Sequence, residues 1–149
     1  MDRTRTDLRK QKHMSNVKEL IRLAKSDLGY NETAKTKFHR LAKSTLADLA
    51  RHLGYAKNAY DLRSNLGGVA ISGEITLHSD ELYVQLSQPL AGTNFMWRTC
   101  KHRKDYNGGA NQLADWDTLL DLPALAKRML DVVEAYKRKQ IEALEAAAC

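Results

Sequence analysis

Four cations fall within seven residues at Arg98, Lys101, Arg103 and Lys104, with His102 among them, and Tyr106, Asn107, Gly108 and Gly109 follow directly. Guanidinium and ammonium groups neutralise phosphates, and a glycine pair lets backbone N–H groups approach an anion without a Cβ in the way. Trp97 and Tyr106 flank the cluster and offer ring faces on which bases stack. The chemistry that this spacing favours is contact with a nucleic-acid backbone. The same residues also suit a solvated loop, with Asn107-Gly108 as a tight turn and Trp97 in the core. A second set of cations lies at Arg5, Arg9 and Lys12, which fall within about 60° of one another on a helix and would track a phosphate strand.

Acid–base and nucleophilic chemistry has fewer supports. His78-Ser79-Asp80-Glu81 brings suitable groups together, but at a position where a hairpin needs a polar turn. Cys100, His102 and Asp105 form a Cys/His/acid set only if a mobile loop fixes the Asp. GxxxxGK[ST], GxGxxG, HExxH and GxSxG are all absent, as are CxxC pairs and Cys/His clusters at ligand spacing. The sequence therefore predicts a non-enzymatic protein with no cofactor and no metal. His13, His39 and His52 sit among basic residues and are expected on solvated helix surfaces.

The elements that must position these groups follow from apolar periodicity. Residues 1–14 carry one large aliphatic, Leu8, before Met14 and read as a basic arm, mobile or the frayed start of a helix. Val17, Leu20, Ile21, Ala24 and Leu28 then repeat at three and four, with Gly29 as the expected left-handed stop. Asn31 caps a second helix that presents Phe38, Leu41, Leu46, Leu49 and Leu53 and ends at Gly54. Residues 57–66 suit a short third helix. From residue 69 the period falls to two: Val69, Ile71, Ile75 and Leu77 share one face, and after a turn at Ser79-Asp80, Leu82, Val84 and Leu86 share the next. Residues 88–94 form a loop and 95–101 a third strand. The last helix carries Leu122, Leu125, Met129, Val132, Val133, Tyr136 and Leu144 at helical spacing.

The predicted fold is α+β: two or three N-terminal helices, a three-stranded antiparallel meander over about 69–77, 82–87 and 95–101, and one long C-terminal helix over about 123–147. Residues 15–149 are expected to form a single compact domain.

Within this order, residues 46–66 resemble part of the helix-turn-helix signature of DNA-binding proteins. Ala50 is small at the helix crossing, Gly54 takes the turn, Leu49 and Leu53 face the core and Tyr60 holds an apolar position of the second helix. The segment departs from the pattern at Arg63, where an aliphatic belongs, and at Asp61, which would face phosphates. Such a resemblance implies a recognition helix over 57–66 and a hairpin behind it as a wing.

Composition bounds the partners. The 149 residues include 24 Lys and Arg against 18 Asp and Glu, a formal charge of +6, with 43% apolar residues and ten aromatics. A chain of this size buries roughly two-thirds of its unfolded surface and needs no disulfide or metal to hold it. Residues 1–60 carry +8, residues 61–94 carry −3, residues 95–110 carry +3 and residues 111–149 carry −2. No apolar run approaches a membrane span, and the basic first twelve residues lack the apolar stretch of a secretory signal. Cys100 and Cys149 are expected reduced, in a cytoplasmic protein. The expected partner is DNA or RNA, held by the N-terminal helices and the 98–109 loop. The alternative is a protein-interaction module, an inhibitor or adaptor of the kind phages and mobile elements encode. It would use the polar sheet face at Thr76, Tyr83 and Gln85 or the last helix, whose long apolar stripe also offers a homodimer surface.

Overall fold

The computed structural model describes residues 4–88, 94–106 and 108–148. Along the chain run α1 (Arg5–Ala24), α2 (Glu32–His52), a 3-10 turn (Lys57–Ala59), β1 (Tyr60–Asn65), β2 (Glu74–Ser79), β3 (Leu82–Ser87), β4 (Phe95–Thr99), β5 (Gln112–Ala114), a second 3-10 turn (Trp116–Leu120) and α3 (Leu122–Ala148). The class is α+β. The meander has five antiparallel strands in chain order, not three, with β1 and β5 added at its two edges.

Each helix starts where a side chain can meet its free N–H groups. Thr4 Oγ1 accepts from Asp7 N at the head of α1, and Asn31 Oδ1 accepts from Ala34 N at the head of α2. From Thr4 onward the basic segment is helix: residues 5–14 are the first turns of α1, and Cys149 and residues 1–3 lie outside the described residues. The stop after α1 differs in kind from the expected one. The left-handed residue is Tyr30, at φ 61°, whereas Gly29 is needed because a Cβ there would stand 2.6 Å from the Ala70 carbonyl oxygen.

That contact belongs to the segment between β1 and β2, which is not the strand its alternation suggests. Residues 66–73 fold back on the head of α2. Lys35 Nζ donates to the Gly68 carbonyl at 3.0 Å, His39 Nε2 donates to the Ser72 carbonyl at 2.6 Å, and Tyr30 N donates to Val69 O. Gly73, at φ 70°, makes the bend into β2, and a Cβ there would lie 2.2 Å from Asn65 O. Val69 and Ile71 are therefore exposed, and the strand begins only at Glu74.

Residues 57–66 are likewise not a helix. Lys57–Ala59 make one 3-10 turn and Tyr60–Asn65 pair with β2 from Tyr60↔Ser79 to Asn65↔Glu74. With a strand where the recognition helix should be, the helix-turn-helix resemblance fails.

One face of the sheet is buried. Ile75, Leu77, Leu82, Val84, Leu86, Phe95 and Trp97 point into a layer formed by Val17, Leu20 and Leu23 of α1, Phe38, Leu46 and Leu49 of α2, and Leu125, Met129 and Val133 of α3. Trp116 closes the end of this core, its ring 6.1 Å from Phe38 and 6.4 Å from Phe95. Two histidines expected in solvent help to hold the layer. His39 is buried between Ser64 and Ser72, and His13 joins Asp48 of α2 to the Leu119 carbonyl. The buried stripe of α3 ends at Val133, and Leu144, expected with it, is 71% exposed.

Candidate nucleic-acid interface

Among the described residues the opposite face of the sheet carries no helix, since α1, α2 and α3 all pack on the buried side. Its side chains follow from strand alternation. Antiparallel register lines up Asp61, His78, Tyr83 and Arg98 in one row across β1 to β4, and Arg63, Thr76, Gln85 and Met96 in the next. The first row is a stack of rings and charge. His78 meets Tyr83 edge to face at a centroid distance of 5.1 Å, and the Arg98 guanidinium carbon sits 4.6 Å from the Tyr83 ring centre.

The loop after β4 lays a third ring on this row. Tyr106 lies 5.5 Å from His78 at 66° and is 57% exposed. Local bonds shape the loop: Asp105 Oδ2 accepts from Lys101 N, His102 Nδ1 accepts from Lys104 N, and Arg103 donates to the Asn58 carbonyl. Arg103 also lies 3.5 Å from an Asp61 oxygen and 3.6 Å from an Asp80 oxygen. Lys101, His102 and Lys104 extend into solvent. Between Tyr106, His78, Arg63 and Arg103 is a shallow cavity of about 200 Å³.

Against this geometry the sequence-derived site divides. Arg98, Arg103 and Tyr106 converge on the outer sheet face, with Lys101, His102 and Lys104 beside them. Trp97 does not join them: at 1% exposed it lies on the opposite face of β4, in the core, and has no surface on which a base could stack. The glycine pair also has another task. A Cβ on Gly108 would stand 2.0 Å from the Thr99 carbonyl oxygen, and Gly109 N donates to that oxygen, so both glycines permit packing under the loop instead of approach to an anion. Asn107 lies outside the described residues. Arg5, Arg9 and Lys12 are exposed on α1, in the helical layer, so the two basic regions lie on opposite sides of the sheet and do not make one footprint.

Nor do the catalytic sets assemble. Cys100 is buried, its Sγ donates to the Ser79 carbonyl at 3.4 Å, and burial pushes its thiol up to about 11, so the nucleophilic thiolate is disfavoured. His102 is exposed, and its Nδ1 accepts from Lys104 N. Ser79 faces inward, where its hydroxyl accepts from Leu82 N, while His78 faces outward. Glu81 is a structural tie: it accepts from Tyr55 Oη at 2.8 Å and from Lys137 Nζ at 2.7 Å, joining the β2–β3 turn to the end of α2 and to α3. Among the described residues no three His, Cys, Asp or Glu are grouped to hold a metal ion, and no helix is long and apolar enough to cross a membrane.

In the sequence His78 stands out only within the His78–Glu81 acid–base set, and Arg63 only as a departure from the helix-turn-helix pattern. The signal for His78 was there: it precedes the hairpin turn and alternates with Leu77, which sets it on the polar face with Tyr83. What the fold and surface define is an α+β protein whose second sheet face carries rings and charges of both signs, with Arg63, Arg98 and Arg103 beside Asp61 and Glu74. Protein-family models, curated proteins and solved structures give no match to this chain.

Proposed function

We propose that this protein binds nucleic acid, and that it holds an unpaired strand on the outer sheet face and the 101–106 loop. The observation that carries the reading is Tyr106, exposed above the His78–Tyr83–Arg98 row with Lys101, Arg103 and Lys104 beside it. A ring face beside flexible cations suits bases that are free to stack and phosphates that follow them, and a duplex hides its ring faces. Lys101 and Lys104, exposed in the loop, supply phosphate contacts more readily than Arg103, which shares its charge with Asp61 and Asp80. Arg5, Arg9 and Lys12 would meet only a strand that wraps to the helical layer. On this reading the protein works without a cofactor, as a binder and not as an enzyme, in the cytoplasm.

Fluorescence anisotropy with single-stranded DNA, RNA and duplex DNA at two salt concentrations tests it. The expected result is preference for single strands and a log–log salt slope of about −2, from roughly three phosphates neutralised. Replacing Lys101 and Lys104 together with Ala should flatten the slope by about 1.4 and weaken binding several-fold. Absence of binding at low salt would refute the reading.

A protein partner is the second reading, and it has one observation of its own. Beyond Val133, α3 continues for four turns with Ile141 and Leu144 at 54% and 71% exposure. Lys137, Arg138 and Lys139 precede Glu142 and Glu145 there, so an antiparallel second copy would bring opposite charges together. Sedimentation equilibrium distinguishes the two: a dimer that Leu144→Lys dissociates supports this reading, and a monomer at all concentrations removes the homodimer.

A further inference from the structure

The cavity on the outer face has more chemistry than a flat stacking platform requires. His78 is 7% exposed, and its Nε2 is buried with no hydrogen-bonding partner among the described residues. A buried ring nitrogen left unmatched is destabilising, so it is a feature that binding can recover. Desolvation, together with the nearby Arg98 charge, lowers the imidazole below its usual range. The ring is then neutral at pH 7. A neutral imidazole has one N–H and one lone pair, and in the tautomer protonated at Nδ1 it is Nε2 that accepts from a ligand N–H.

What surrounds that acceptor narrows the ligand. Tyr106 supplies an exposed ring at 5.5 Å and Thr76 a hydroxyl, and at the rim the cationic donors Arg63 and Arg103 stand beside the carboxylates of Asp61 and Glu74. A cavity of about 200 Å³ is below the range that takes drug-sized ligands and suits one planar ring system. A planar ring with an N–H edge, attached to an anionic linker, is a nucleotide. We infer that this cavity is a subsite for one unpaired nucleobase, whose N–H edge donates to His78 Nε2 while its ring lies against Tyr106 and its phosphate meets Arg63 and Arg103. The inference rests on the nucleic-acid reading for its biological ligand, but the cavity is testable apart from it.

Two measurements on the full chain separate them. The first is anisotropy with a ten-residue single-stranded oligonucleotide on the wild type, His78→Phe and Tyr106→Ala. Phe keeps the ring contacts with Tyr83 and Tyr106 and removes the acceptor. The expected loss is about tenfold for each variant, the scale of one hydrogen bond or one stacked base. The second is a ¹⁵N NMR titration of the wild-type histidines with adenosine and cytidine monophosphates, in which the unprotonated Nε2 signal of His78 should shift on binding. If the oligonucleotide binds the wild type and His78→Phe equally and the His78 signal stays still, the subsite is refuted and the surface reading stands. If the nucleotides shift His78 but no oligonucleotide binds, the subsite stands as a mononucleotide site and the surface reading falls. If neither binds, both are overturned.

Discussion

Trp97→Ala should cost about 3–5 kcal/mol of stability, the range for emptying a core of a large aromatic. The ring is 1% exposed and sits on the inner face of β4 between the Val84 and Gln112 register positions, under the helical layer. Domains of this size hold roughly 5–15 kcal/mol in total, so this one change removes about a fifth or more of it and lowers Tm by on the order of 10 °C. Tyr106→Ala is the informative contrast. Its side chain is 57% exposed, so its removal should move stability by about 0.5 kcal/mol or less while weakening oligonucleotide binding. Thermal unfolding and anisotropy on the same two variants give opposite patterns. A Trp97→Ala protein that melted like the wild type and lost binding would place Trp97 on the surface and overturn the architecture as well as the site.

That contrast also shows which parts of the molecule were legible in the sequence. Trp97 and Tyr106 look alike as aromatics beside a cationic run, and only the alternation of β4 separates them: Phe95, Trp97 and Thr99 share the buried face, while Met96 and Arg98 share the open one. Where a period is long and local, it reads correctly. The stripes through Leu20, Phe38, Leu46 and Met129 predicted the three long helices, and Leu82, Val84 and Leu86 predicted β3 and its inner face. Where pairing is decided far along the chain, it does not. Tyr60–Asn65 has two inward apolar residues, too few to outweigh a helical reading, and becomes a strand because β2 pairs with it. Gln112–Ala114 is too short for any period and exists by pairing with β4. Val69 and Ile71 alternate as a strand does, yet Lys35 and His39, more than thirty residues away, hold that segment as a loop. The charge pattern was read correctly as two basic regions, but which side of the sheet each occupies is a property of topology and not of spacing.

His39 and His13 should pull the stability of this fold in opposite directions with pH. Burial lowers the pKa of His39 from 6.5, and its two bonds explain why the neutral ring is the native one: Nε2 donates to the Ser72 carbonyl, which leaves Nδ1 to accept from the Ser64 hydroxyl. A depressed pKa means that the unfolded chain takes up the proton first. The stability His39 contributes is therefore complete above pH 6.5 and is lost as pH falls through the lowered value. His13 is the reverse case. The hydrogen bond to Asp48, above all, raises its pKa from 6.5, and both ring nitrogens have acceptors, Asp48 Oδ2 at 3.2 Å and the Leu119 carbonyl at 2.8 Å. Its contribution is complete below pH 6.5 and is lost as pH rises through the raised value. Leaving such buried partners unmatched costs about 1–3 kcal/mol. His39→Ala should therefore destabilise by about 2–3 kcal/mol at about pH 8 and by less at about pH 5, and His13→Gln should destabilise by about 1–2 kcal/mol at about pH 5 and by less at about pH 8. Urea midpoints for both variants and the wild type at the two pH values test the crossing. Parallel pH profiles would mean that neither histidine is the switch its contacts imply. The crossing, if found, ties the β1–β2 loop to α2 and the head of α1 to the Trp116–Leu120 turn through one proton each, and neither proton lies on the face proposed to bind nucleic acid.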